Sequence, residues 1–532
     1  WKYRDWVIGA LNADMPFGRF TIEQLAGDLL PKATESQKIA TGFHRNTMIN
    51  QEGGIDVEQF RIDSIFDRVA TTSTVWLGLT VGCAQCHDHK FDPITQKEYY
   101  QFFAFFNNQE EPTLKVSDPR YDAKKVEAEL KSSEKEFSAY MNAHKEDQMA
   151  WEASLKEPAL TKYNKHLKPL LAKPYEKRTL AENANLFNTG AGAADQTFRA
   201  LNEKYKEVSD RFKSGVTTMV LQELPKPRKT TLFIKGDFTR PADEVKPGTP
   251  AVLPACESSG DDANRLDLAR WIVSPQNPLT SRVIVNRLWL QHFGRGLVET
   301  ENDFGSQGTP PSHPELLDWL AGEFQARHWS MKEMHRLLVT SRTYRQSSSE
   351  RPDLRQKDPN NYLLGHQQRS RLDAELVRDT ALAASGLLSP AMGGPPVFPL
   401  IPEGVMGLGQ VKRTWTVSQG ADRYRRGLYT FVYRGTPPPA LVVFDAPDGQ
   451  STCTRRLRTN TPLQALTLLN DVSFVEFAEA MKKVIEKEGL ETAFRRCTSR
   501  KPSADELSLL NRLDTFSAAR VLLNLDETVT RD

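Results

Sequence analysis

Cysteine is scarce in this chain: 532 residues carry five, an odd number. Three of them, Cys256, Cys453 and Cys497, stand far apart and spell no disulfide framework of the kind that staples small secreted domains. Net charge is almost absent as well, at +2 near neutral pH, so nothing argues for a general attraction to nucleic acid or to an anionic membrane surface. No apolar run approaches the roughly 20 residues that cross a bilayer. Neither a Ser-His-Asp order, a paired-glutamate signature nor His-Glu-x-x-His appears, which leaves familiar hydrolase chemistry without support. Asp303-Phe304-Gly305-Ser306-Gln307-Gly308 is flanked by glycine but lacks the lysine of a phosphate loop. The chain begins at Trp1, already inside a helical pattern, so a signal peptide is expected to have been removed or left out.

What is present is ordinary in bulk and unusual at one point. A hydrophobic content of 39% with 26% charged residues suits a soluble globular chain, and the length allows three to four domains of about 150 residues. The unusual point is Cys83-Ala84-Gln85-Cys86-His87. Two thiols three apart can add to the two vinyl groups on one edge of a porphyrin while the next residue brings an imidazole to the iron. In helical conformation Cys83, Cys86 and His87 share a face. By composition alone such a string arises in about one chain of this kind in a thousand. Two other readings use the same residues. Cys83, Cys86, His87 and His89 offer the thiolate and imidazole ligands of a structural zinc, although such sites usually draw their ligand pairs from separated segments, and the cysteines could also be inert or redox-active.

The string continues as Asp88-His89-Lys90-Phe91-Asp92-Pro93-Ile94 and is preceded by Gly42-Phe43-His44-Arg45-Asn46-Thr47 and Glu52-Gly53-Gly54-Ile55-Asp56. Together these resemble the planctomycete cytochrome c-like domain of large secreted proteins. Further on, Asn264-Arg265-Leu266-Asp267-Leu268-Ala269-Arg270-Trp271, Val285-Asn286-Arg287-Leu288-Trp289 and Phe293-Gly294-Arg295-Gly296-Leu297-Val298 resemble the planctomycete-specific domain that follows it. The resemblance implies a covalent haem c held by Cys83, Cys86 and His87. It also implies a periplasmic or otherwise extracytoplasmic location, because the ligation system that attaches haem to thiols works outside the bacterial cytoplasmic membrane.

For the sixth iron position the nearby candidates are His44 and Met48. His89 sits too close to His87 to reach the opposite face, and with Asp92 it is expected to orient the attachment loop. The polar cluster Asn46, Glu52, Gly53, Gly54, Asp56, Arg61, Asp63, Asp67 and Arg68 reads either as a solvated loop or as a binding surface for propionates or substrate. Arg45, Arg61, His89, Arg455 and Arg456 are the further candidates for holding the cofactor. The last two belong to a set, Arg423, Arg425, Arg426, Arg455, Arg456 and Arg458, that could close over the haem domain or serve only in ion pairs.

The expected fold is mainly α and multi-domain: a helical haem domain over 1–120, a charged helical hairpin over 121–215, a small β unit over 216–262 and a second helical domain with a few strands over 263–532. Thr21-Ile22-Glu23-Gln24, Thr34-Glu35-Ser36-Gln37, Ser312-His313-Pro314-Glu315 and Ser330-Met331-Lys332-Glu333 predict capped helix starts, and Thr461-Pro462 another. Ile55, Val57, Phe60, Ile65, Phe66 and Val69 predict one apolar stripe. Val126, Leu130, Phe137, Tyr140 and Met141 are expected to meet Leu201, Tyr205, Val208 and Phe212 along a seam, with a loop between. Strands are expected at 428–433 and 440–444. The functional expectation is electron transfer to a partner redox protein or haem-dependent oxidation of a small organic or carbohydrate-derived substrate; the alternative is a zinc-stapled scaffold without redox activity.

Overall fold

A computed structural model describes residues 1–49, 54–155, 167–349, 351–409 and 413–531. The fold is mainly helical, and the strands among the described residues pair only in two-stranded sheets. The chain forms two compact units, one of residues 1–111 with 220–532 and one of residues 112–219. Of the haem domain expected over 1–120, residues 1–111 share a compact unit with residues 220–532.

In the larger unit the helices Phe17–Ala26, Val57–Thr72 and Gln96–Asn107 pack against Arg265–Ile272, Thr280–Phe293 and Pro314–Ala326 around one core. Trp76, Tyr100 and Phe103 from the first group and Leu268, Ile272 and Phe324 from the second are all buried in it. The helix Gln96–Asn107 starts in a capping box, with Thr95 and Glu98 each closing on the other's backbone, and is buried nearly all round from Tyr99 to Asn107. A second core lies farther along the chain, where Ala374–Ala384, Val472–Glu488, Leu490–Thr498 and Thr515–Leu523 enclose Leu382, Phe477, Met481 and Leu522. The β unit is divided. Thr230–Phe233 and Pro241–Val245 form a hairpin, and Gln222–Glu223 pairs with Gln109–Glu110.

Several expectations change. Thr21 caps nothing: its helix already starts at Phe17, and its buried hydroxyl accepts the Trp76 indole N–H at 3.0 Å. A Thr-x-x-Gln string also fits inside a helix, so the pattern alone misplaces the start. Ile55 and Val57 are exposed, and the stripe of Val57–Thr72 is Ile62, Ile65 and Val69. Ser312 is not a cap either, since His313 precedes Pro314–Ala326. The caps at Thr34, Ser330 and Thr461 hold. The strand expected at 440–444 is the short helix Pro439–Val443, opened by a proline whose missing N–H costs nothing at that position. At 428–433 a 3-10 turn, Gly427–Tyr429, leads into isolated bridges.

The smaller unit has the expected seam. Ala123–Ala143 packs along Gln196–Ser214, burying Phe137, Met141 and Phe198, with Leu201 and Tyr205 beside them. Phe212 is exposed. The intervening stretch, expected as loop, contains the helix Leu180–Thr189 with a Thr179/Glu182 capping box, and Phe187 from it completes the apolar cluster.

Arg265 lies at the centre of the larger unit. It is fully buried, donates to the Leu25 carbonyl and to Asp28 at 2.7 Å each, and lies 3.4 Å from Glu223. Removing one partner of a buried ion pair strands the other charge in a dry interior, at about 3–5 kcal/mol. Arg265→Ala is therefore expected to lower the unfolding free energy by about that amount, read as a fall in urea midpoint at unchanged m-value, and Arg265→Lys, which loses the planar fork, to recover only part of it. Equal midpoints for wild type and Arg265→Ala would contradict this assignment.

Candidate functional site: the Cys-x-x-Cys-His turn

The turn is built outward from the aromatic helix. Val81–Gln85 is a 3-10 helix with Val81 and Ala84 buried beneath it, and Cys86 closes it. The Gln85 carbonyl accepts from the Tyr100 hydroxyl and from the Gln96 side-chain amide, both at 3.0 Å. Asp88 accepts from the Gln96 backbone N–H at 2.8 Å. A tight 3-10 turn, in place of the expected α-helical face, turns the side chains of Cys83, Cys86 and His87 to solvent, and both thiols are free.

Three observations bear on what this turn can hold. First, the His87 Nδ1 lies 2.6 Å from the Asp88 carbonyl oxygen. A carbonyl only accepts, so Nδ1 carries the proton and Nε2 is left with a free lone pair, the arrangement metal-ligating imidazoles share. Second, Gly236, in a left-handed conformation at φ +78°, lies against the turn: a Cβ there would come within 2.8 Å of the Cys86 sulfur. Only glycine leaves that side of the sulfur clear. Third, His89 is spent. Its Nδ1 accepts the Asp92 N–H at 2.8 Å and its Nε2 faces the Thr80 carbonyl at 3.1 Å, so the ring nitrogens of the fourth zinc ligand are both committed to backbone. Among the described residues, no three His, Cys, Asp or Glu side chains converge on a metal-sized position. Two reachable thiols and an imidazole with its outer nitrogen open fit the attachment of a haem c.

The loop that follows is pinned to the second half of the unit. Asp92 accepts the Ser306 N–H at 2.6 Å, and a Cβ on Gly305 would come within 2.5 Å of its other oxygen. Phe304 N–H donates to the Gly78 carbonyl at 2.8 Å. The glycine-flanked loop 303–308 thus serves as the receptacle for Asp92. Arg287, buried enough for its pKa to fall to about 10, donates to the Thr74 and Val75 carbonyls of the π-helical turn Ser73–Leu77 just upstream.

The other candidates lie elsewhere. His44 is buried against Phe43 and Phe106, and Met48 is exposed. Tyr100 binds the Cys-x-x-Cys-His turn and Phe106 touches His44, six residues and about 9 Å farther along the same helix. His44 and His87 thus address different parts of that helix. Arg45 is engaged by Glu111 and the Val220 carbonyl, and Arg61 by both oxygens of Glu58 and by Asn107. Glu52 and Gly53 lie outside the described residues. Arg456 pairs with Glu375, Arg423 with Glu476, Arg426 with Asp379 and Arg458 with Asp373, so ion pairing accounts for most of the arginine set. Arg455 and Arg456 line a polar cleft of about 550 Å³ with Arg369, Arg371 and Arg458, and its lining includes no residue of the attachment turn.

A second cavity, of about 330 Å³, is lined by His44, Met48, Asp67, Arg68, Arg434 and Thr452, among others. The His44 Nε2 is buried there without a partner, and burial holds its pKa well below the ordinary imidazole value. Burial pushes the Asp67 carboxyl up, against the pull of Arg68 and Arg434. Arg434 could not have been found from the sequence, because nothing local marks it; it reaches the cavity by donating to the Asn46 and Thr47 carbonyls from nearly 390 positions away.

Residues 1–111 match the family described as PSCyt2, a protein of unknown function (DUF1549), and residues 264–513 match PSD1, a protein of unknown function (DUF1553). Both are planctomycete-associated domains. No curated protein and no solved structure matches the chain.

The His44 environment makes stability depend on pH with a definite sign. An imidazole held neutral in the fold, yet free to protonate at its usual pKa of 6.5 once unfolded, contributes stability that is fully present above 6.5 and is lost as pH falls below it. His292, lowered to about 4 by burial and by His335, acts in the same sense. Below pH 6.5 the unfolding free energy is expected to fall by about 1.4 kcal/mol per pH unit for each such proton. His44→Gln should remove one proton from that slope, measured by urea unfolding at pH 5.0–7.5; an unchanged slope would contradict the assignment.

Proposed function

We propose that this chain, which joins two planctomycete-associated domains, is an extracytoplasmic c-type haem protein that transfers electrons. The observation that carries the reading is the exposed turn in which two free thiols stand three residues apart beside an imidazole whose Nδ1–H is held by Asp88, leaving Nε2 open. Cys83 and Cys86 would hold the porphyrin edge and His87 Nε2 the iron; the haem supplies a one-electron ferric/ferrous couple. The chain's own residues do the rest. Asp88 fixes the tautomer of the ligand and raises its basicity. Tyr100 and Gln96 hold the turn through one shared carbonyl, so that its geometry is set by the rigid aromatic helix beneath it. Asp92, seated in the 303–308 loop, ties the turn to the second half of the unit. The turn stands at the surface, where a redox partner protein can approach through the small interface typical of such encounters. Attachment of haem to thiols outside the cytoplasmic membrane is what supports the extracytoplasmic location.

The test is the intact mass of denatured protein after co-expression with a cytochrome c maturation system. Two thioether bonds survive unfolding where coordination does not, so the wild type is expected to keep one haem per chain and Cys83→Ala/Cys86→Ala to keep none. Unmodified wild-type mass together with stoichiometric zinc would replace this reading with a zinc-stapled module.

A further inference from the structure

The 330 Å³ cavity lies apart from the attachment turn and is walled by both family-matched segments: Phe43, His44, Asp67 and Arg68 come from the first, Arg434 and Thr452 from the second. The two walls are joined directly, Thr71 and Thr452 sharing a hydrogen bond of 2.7 Å between their hydroxyls.

Three polar groups in this cavity have bonding capacity left over. The His44 side chain is buried, at 2% exposure, and its Nε2 has no partner. Such an atom in a native interior normally finds one in water or a ligand. Asp67 is half-buried and accepts no hydrogen bond from any described residue, though its four lone-pair sites seek donors. Arg434 spends donors on two carbonyls and pairs with no carboxylate among the described residues, which leaves part of its five-donor fork for something else. Charge decides what that is. Glu111 is shared between Arg68 and Arg45, and Arg434 acts on Asp67 within the cavity, so an anion brought to Arg434 would also meet the Asp67 carboxylate, whereas a neutral group would not be repelled.

A hydroxyl is the group that answers all three demands, because it both donates and accepts. It satisfies Nε2 of His44 in either tautomer, donates to Asp67 and accepts from Arg434. Several hydroxyls held on one small frame would satisfy them together, and the Phe43 ring with the Val75 side chain offers an apolar wall for the C–H face of such a frame. We propose that this cavity binds a neutral polyhydroxylated molecule of one or two sugar rings, anchored on His44, Asp67 and Arg434.

The experiment titrates the full chain with glucose, galactose and xylose, and in parallel with glucuronate and inorganic phosphate, followed by saturation-transfer NMR and calorimetry. At least one neutral sugar is expected to bind, and Asp67→Asn, which keeps the side chain's size, is expected to weaken it at least tenfold. Arg434→Gln should do the same, and either variant decides if the other fails to fold, whereas Arg295→Gln, in a cavity that shares no lining residue with this one, should leave binding unchanged. The proposal is overturned if no neutral sugar binds the wild type, if only glucuronate or phosphate does, or if a folded Asp67→Asn or Arg434→Gln protein binds as the wild type does.

Discussion

A single buried arginine joins the parts of this molecule that the sequence separates. Arg265 has no exposure to solvent, and its partners come from two distant stretches: Leu25 and Asp28 near the start, and Glu223 after the 112–219 unit. Asp28 in turn accepts the Glu223 backbone N–H at 3.0 Å. A guanidinium in a dry core is stable only while it is paired, so each of these segments is held by the need to keep the charge neutralised. Burial pushes the Glu223 carboxyl up, against the pull of Arg265 and of the Asn108 and Gln109 side chains, and Asp28 adds to the rise.

Other cross-connections follow the same logic. Arg287 satisfies carbonyls that the π-helical turn before Gly78 leaves open, and Gly78 itself, at φ +60°, has no room for a Cβ beside Phe304 and Val283. Asp92 is received by the 303–308 loop. The Cys-x-x-Cys-His turn therefore stands on a scaffold made by both family-matched segments. Its rigidity comes from the aromatic helix Gln96–Asn107, and its side chains remain at the surface.

Much of this was legible in the sequence because it depends on local rules. The Thr34, Ser330 and Thr461 caps are short-range hydrogen-bond patterns, and the seam of the 112–219 unit is a spacing pattern. Cys83, Cys86 and His87 announce themselves by spacing alone. What stayed hidden depends on distance along the chain. No local pattern shows that Arg434 reaches Asn46, that Asp92 sits in the 303–308 loop, or that Gly236 clears the Cys86 sulfur. The helix Pro439–Val443 was misjudged as a strand because a β-branched run carries the same propensity whether or not a proline starts a turn of helix before it.

The central proposal is that His87 Nε2 ligates the iron of a covalently held haem. Anomalous diffraction from crystals of the protein produced with cytochrome c maturation, recorded at the iron and zinc edges, tests it most directly. The account predicts one iron peak at coordination distance from His87 Nε2 and no zinc. An iron peak at His44, or a zinc peak between Cys83, Cys86 and His87, would contradict it.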